Sequence, residues 1–445
     1  MNVWSIIVVI LMLGILVTIH ELGHFWAACL LKIKAFEVSI FVGPRLVHWK
    51  RKDVDYSIRL IPLGAYVRFS DVDENGEVIA SDAPELLINQ PRWKRLIVSL
   101  AGPIMNVILG VLIFTGIFWV TGFTSLDIGH APAGSQLYSQ EYTPGDTITA
   151  VNGHAVYTYL DFYYSVDNSV PKSDKLTLTL KSAETGSKYD VVLTPELKSR
   201  PMLGITTYRT TENKYHGWEI LNVDERQNEG KPVLKVGDFL TAVDGKAVAD
   251  EDFSEFLDNL NEGDTMKLTF VRNGETMEKE CIKTMITYAN DRGVRLVAYQ
   301  TNTPARFLRS FGYAAKIPMS VVMLSAKSIS DVFKGKEKVY NMVSGPVGVT
   351  TVVNDVVGDV DDNVGEKIYM LVVISGIISI GLTFTNLLPI PGLDGVQIIL
   401  IVVEMVIGRR LSKKAENVIN VVGFFLLIAL VIFAFASDII RIIVG

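Results

Sequence analysis

The chain has 445 residues, 49% of them hydrophobic and 20% charged, with a formal net charge of −6 and a mean hydropathy of +0.32. It is too long for one ordinary domain and too apolar for a typical soluble enzyme. The acidic balance argues against nucleic acid as a partner. The only two cysteines, Cys29 and Cys281, rule out a cysteine metal cluster, and their placement makes a disulfide between them unexpected.

The apolar residues gather into four runs, 3–31, 96–123, 368–388 and 418–435. Each is long enough to cross about 30 Å of hydrocarbon as a helix. The first run has no basic leader and no small-residue cleavage site, so it reads as a retained span. Lys50, Arg51, Lys52, Arg92, Lys94 and Arg95 lie between spans one and two, and Arg409, Arg410, Lys413 and Lys414 between spans three and four. Both loops should face the cytoplasm, which turns the large central region and both termini outward. Residues 311–333 are apolar but interrupted by Lys316, Pro318, Lys327 and Asp331. They read as one amphipathic helix lying at the outer interface.

The first span carries His20-Glu21-Leu22-Gly23-His24, an HExxH pattern. On a helix, positions i and i+4 share a face, so the two imidazoles can grip one Zn²⁺. The Glu between them can act as general base on a water that the metal makes acidic. The pattern alone occurs by chance in about 1% of chains this long. Its position favours a metal site over an incidental polar cluster, because ionisable side chains within a span each cost about 2–4 kcal/mol unless a site compensates them. A catalytic zinc needs a third ligand and an open position. Span three ends in Asn386-Leu387-Leu388-Pro389-Ile390-Pro391-Gly392-Leu393-Asp394-Gly395, whose prolines and glycines break the helix. Irregular backbone at that depth belongs beside protein or a wet cavity. Asp394 is the carboxylate of this segment and the expected ligand, with Glu404 on the following apolar stretch as the rival, otherwise facing the aqueous interface. His48, His130, His154 and His216 have no ligand spacing.

Residues 124–310 are polar and contain a repeat. GDTITAVNGHAV (145–156) and GDFLTAVDGKAV (237–248) agree at eight of twelve positions, and the same offset pairs Lys175-Leu176-Thr177 with Lys267-Leu268-Thr269. Two copies of one module follow. Each predicts a short strand, a tight turn at Asn152-Gly153 or Asp244-Gly245, a helix (161–167; 253–260) and a Thr/Leu-rich strand. The order and the Gly-Asp-x5-Asn/Asp-Gly signature resemble PDZ domains, which bind extended peptides at a sheet edge.

HELGH in the first span, AGPIMN (101–106) in the second and NLLPIPGLDG (386–395) after the third together resemble the site-2 protease family. IPLGAYVRF (61–69), SGPVGV (344–349) and the PDZ-like pair narrow the resemblance to its bacterial regulator-of-sigma-E branch. The resemblance implies a polytopic α-helical membrane protein with four transmembrane helices, a membrane-associated β-hairpin and two inserted PDZ-like domains. Its divisions would be 1–123 (spans one and two with the hairpin), 124–200 and 201–290 (the two modules), 291–366 (linker and interfacial helix) and 367–445 (spans three and four). It implies a bacterial inner- or plasma-membrane location, with the PDZ-like region extracytoplasmic. It implies zinc-dependent cleavage of single-pass membrane proteins, such as an anti-sigma factor, or of remnant signal peptides. His20, His24 and Asp394 would hold one zinc, and Glu21 would be the base. Asn386 would help hold the substrate backbone, and Gly64, Ala65 and Tyr66 would lie where an unwound substrate pairs with the hairpin. Gly64-Ala65-Tyr66 stands where the family usually has Gly-Gly-Tyr. The PDZ-like pair would screen substrates and could take a peptide ligand. The rival function is a non-catalytic PDZ-bearing membrane scaffold with a vestigial zinc site, against which the intact ligand set and Glu21 argue. A zinc transporter would need polar residues along a full path, and spans two and four are nearly devoid of them.

Overall fold

The computed structural model describes residues 3–70, 82–167, 175–194, 197–208, 214–224, 227–248, 265–282, 284–289, 293–300, 304–334, 346–358, 364–390, 392–410 and 412–444. Its helices in chain order are α1 (Val3–Leu30), α2 (Arg92–Thr121), α3 (Tyr159–Asp167), α4 (Pro304–Ala314), α5 (Ile317–Phe333), α6 (Pro346–Gly358), α7 (Val364–Leu387), α8 (Asp394–Ile407) and α9 (Lys413–Val444). Among the described residues, four helices are long and apolar enough to cross a membrane: α1, α2, α7 and, in α9, Val421–Asp438. The chain forms two compact units, one of Met1–Leu126, Val156–Phe162 and Leu296–Gly445, the other of Asp127–Ala155 and Tyr163–Arg295.

The first unit is built on α1, α2 and α7. In α1, Ser5, Val9, Met12, Leu16, His20 and Gly23 are buried. They recur every three or four residues and so form one stripe. Ile7, Leu11, Ile15 and Trp26 on the remaining surface are exposed, which suits lipid rather than water. The buried stripe of α2 includes Val98, Gly102, Asn106 and Gly110. Glycines on this face let backbones approach closely. A Cβ on Gly23 would stand 2.5 Å from the Ala101 carbonyl oxygen, and one on Gly110 would stand 2.5 Å from Ile380 Cγ1 on α7. Polar contacts tie the same helices. Ser379 Oγ donates to the Asn106 carbonyl at 2.8 Å and Thr383 Oγ1 to the Pro103 carbonyl at 3.1 Å.

Two long strands, β1 (Glu37–Arg51) and β2 (Val54–Arg68), form an antiparallel hairpin. Its turn residues Lys52 and Asp53 have φ 49° and 62°, as a two-residue primed turn requires. The strands bend back on themselves, so residues 37–40 pair both with 55–58 and with 65–68. Residues 311–333 differ from the single helix expected there. They belong to two helices, because Pro318 lacks an N–H and its ring collides with the carbonyl four residues earlier, at Ala314, where α4 stops.

The second unit carries the repeat. Strand Thr147–Val151 pairs with Leu176–Lys181, and that strand with Lys188–Leu193; strand Phe239–Val243 pairs likewise with Thr265–Arg272, and that with Glu275–Ile282. Asn152-Gly153 and Asp244-Gly245 all have positive φ, between 48° and 80°. The Lys-Leu-Thr match is corrected by the register. Thr177 N–H donates to Asn152 Oδ1, whereas Lys267 N–H donates to Asp244 Oδ1. Thr177 is thus the structural equivalent of Lys267, two residues from the sequence match. A two-residue slip keeps the same faces buried, which is why the sequence tolerated it. In both copies the Gly-Asp aspartate is buried and accepts a backbone N–H three residues upstream. Asp146 is then bound by the Tyr189 hydroxyl, and Asp238 by both arms of Arg272 at 2.7–2.8 Å. The helix expected at 161–167 begins two residues earlier, at Tyr159; the one expected at 253–260 lies outside the described residues.

Candidate active site

His20, Glu21 and His24 sit in the C-terminal half of α1, with His20 5% and His24 8% exposed. His24 Nδ1 is 2.7 Å from the Val98 carbonyl of α2. A carbonyl only accepts, so Nδ1 carries the proton and Nε2 presents its lone pair inward. His24 Nε2 is 3.1 Å from His20 Nε2. Asp394 opens α8, and its Oδ2 lies 2.9 Å from His20 Nε2 and 3.5 Å from His24 Nε2. The chain reaches this position by doubling back after α7. Gly392 has φ 99°, and a Cβ on Gly395 would stand 2.3 Å from the Leu388 carbonyl oxygen.

The fit of these groups to a metal is testable from the three distances. Ligands at about 2.0–2.1 Å from zinc, at tetrahedral angles, stand about 3.3 Å apart. Edges of 2.9, 3.1 and 3.5 Å bracket that value, and the three donors are one carboxylate and two imidazoles. Direct hydrogen bonding accounts for the triangle less well, because one proton on His20 Nε2 cannot serve two acceptors along separate lines. The donor set therefore suits a zinc ion with one face open.

Glu21, partly buried, receives the Val67 backbone N–H at 3.1 Å. Strand β2 thus lies against the candidate base. Gly64, Ala65 and Tyr66 precede this contact directly; Gly64 has φ 78°, and Ala65 and Tyr66 pair with Ile40 and Ser39. The Tyr66 hydroxyl accepts from Arg59 at 2.7 Å, and Arg59, Arg45 and Arg68 surround the buried Glu37. Burial disfavours the Glu37 charge, but the Arg59 and Tyr66 hydrogen bonds and Arg45 outweigh it and hold its carboxyl below the usual range. Asn386, near the end of α7, has its amide nitrogen 3.4 Å from both ring nitrogens of His20.

Glu404 is not at the aqueous interface, where the sequence left it. It is 1% exposed and pairs with Arg95 at 2.8 Å, while Arg92 donates to the Gly408 carbonyl at 2.8 Å. The rival carboxylate is thus held by the basic first turn of α2. Two residues of AGPIMN, to which the sequence assigns no role, stand beside the histidines. Gly102 faces the imidazoles, since a Cβ there would stand 2.3 Å from His24 Nε2 and 2.7 Å from His20 Nε2. Asn106 is wholly buried, 3.3 Å from His20 Nδ1. The signal was available, because a glycine and an amide on the buried face of a span need a close neighbour.

Residues 8–430 match the model of peptidase family M50. The chain belongs to that family. A Clostridium acetobutylicum protein named "Putative zinc metalloprotease" is 27% identical, covering 99% of this chain and 98% of its own. A Neisseria meningitidis protein of the same name is 26% identical over 96% and 97%. The Haemophilus influenzae "Regulator of sigma E protease" is 24% identical over 98% and 99%. Among solved structures, an HtrA-type protease with a bound decapeptide covers 38% of this chain at 14% identity and a TM-score of 0.18. As an M50 peptidase with, among the described residues, four helices long and apolar enough to cross a membrane, the chain is a membrane zinc metalloprotease. The resemblance read from its motifs holds at family level.

Proposed function

We propose that His20, His24 and Asp394 hold the zinc, that Glu21 is the general base, and that the enzyme cuts single-pass membrane substrates within or beside their span. The observation carrying this reading is the convergence of three ligand atoms on the buried stripe of a membrane-crossing helix, with a strand at the base. When bound, zinc supplies Lewis acidity, polarising a carbonyl and making a water acidic near neutral pH. Val98 sets the ring orientation and tautomer of His24. Glu21, steadied by the Val67 amide, takes the proton of the attacking water and returns it to the leaving amine. Substrate would lie extended along β2 near Gly64, Ala65 and Tyr66, because a helix hides its peptide bonds. Asn386 would turn its amide to the substrate backbone.

The repeated modules are read as PDZ-like domains on the extracytoplasmic side, supported by their shared strand order, primed turns and Gly-Asp brackets and by the basic loops on the opposite side. An anti-sigma factor and remnant signal peptides are both substrates of the right form. The test is cleavage of a tagged single-pass substrate by the reconstituted protein, before and after chelation. Activity should vanish with the metal and return with zinc; chelator-resistant cleavage would contradict the reading. Deleting residues 124–290 should relax rejection of substrates with bulky outer domains. Unchanged selectivity would end the screening role.

A further inference from the structure

We infer that Asn106 is a positioning residue for the zinc, fixing His20 in the tautomer whose Nε2 lone pair faces the metal. The inference rests on the ligand assignment proposed above. His20 can bind through Nε2 only if its proton sits on Nδ1, and that proton needs an acceptor in a buried site. The Val98 carbonyl serves this purpose for His24. No backbone carbonyl is bonded to His20 Nδ1 among the described contacts; what faces it are the side-chain amides of Asn106 at 3.3 Å and Asn386 at 3.4 Å.

As placed, the nitrogen of that amide points at Nδ1, and its oxygen, fully buried, has no hydrogen-bond partner. The two ends of an amide are assigned by their neighbours. The placed orientation would make Nδ1 an acceptor and force the proton onto Nε2, between His24 and Asp394. Turning the amide over gives the oxygen the Nδ1–H donor and frees Nε2, while the amide nitrogen takes the oxygen's former place. Asn386 cannot make this selection, because its amide nitrogen is equidistant from both ring nitrogens, at 3.4 Å. With Nδ1 bonded to Asn106, Asn386 owes nothing to His20 and is released toward substrate. The backbone of Asn106 is anchored by the Ser379 hydroxyl on α7, so its side chain has a fixed base from which to orient the ring.

The experiment is a chelator competition on the full-length protein in detergent, measuring zinc affinity for wild type, Asn106→Ala, Asn106→Asp and His20→Ala. Outer contacts of this kind are typically worth about 10- to 100-fold in metal affinity. Asn106→Ala should weaken zinc by about that factor, whereas Asn106→Asp, which keeps an acceptor for Nδ1–H, should stay within about threefold of wild type. A merely structural role would not be rescued by the carboxylate. Wild-type affinity in the alanine variant, or equal loss in both Asn106 variants, would overturn the inference. Wild-type affinity in His20→Ala would instead overturn the ligand assignment beneath it.

Discussion

Glu21→Gln is expected to leave zinc bound and to lower cleavage by about 10²- to 10⁴-fold, the usual worth of a positioned general base. Glutamine has the shape of glutamate, and its amide oxygen still accepts the Val67 N–H that holds the side chain now. What it lacks is a site for the water's proton. Metal analysis and cleavage rate, measured on one preparation, separate the two effects. Full zinc with the rate collapsed is the expected pair of results. Full zinc with an unchanged rate would remove Glu21 from the chemistry.

Gly102→Ala should weaken the metal site without unfolding the bundle. The added methyl would stand 2.3 Å from His24 Nε2, 2.6 Å from its Cε1 and 2.7 Å from His20 Nε2, distances real Cβ atoms do not show. His24 cannot retreat without losing Val98. Overpacking of this kind costs about 1–3 kcal/mol, and here the strain falls on the two imidazoles, so zinc affinity should drop about 10- to 100-fold and activity with it. Gly116→Ala is the matched control. It lies on the same helix, half-buried, with nothing within 4 Å of its Cβ, and a helical glycine gains about 1 kcal/mol on becoming alanine. Thermal unfolding checks that both variants fold. A Gly102→Ala protein that keeps wild-type zinc affinity would mean that the helices are spaced more widely than described.

The parts legible in the sequence are those where chemistry restricts residue type. An HExxH pattern inside an apolar run and a carboxylate in the Pro/Gly-broken segment after another run are restricted in this way; the same runs match, to within a few residues at most ends, the four helices long and apolar enough to cross a membrane. The parts that were not legible depend on distances between elements. Glu404 looks like a solvent-facing carboxylate until the first turn of α2 brings Arg95 to it. Gly102 and Asn106 are a small residue and an amide until α1 crosses α2 closely enough to put His20 and His24 beside them. The Lys-Leu-Thr match was a repeat in letters but not in register, because a strand shifted by two buries the same faces. The stop at Ala314 was readable from Pro318 and was outweighed by the apolar pattern on either side.

The most direct test of the account is the mass of the two products formed when the reconstituted wild-type protein cuts a tagged single-pass substrate. A cut within the substrate's apolar span or at its edge is the expected result, since two of the three proposed ligands, His20 and His24, lie on the buried side of a helix long and apolar enough to cross a membrane. A cut confined to the substrate's soluble region, with the span left whole, would contradict it.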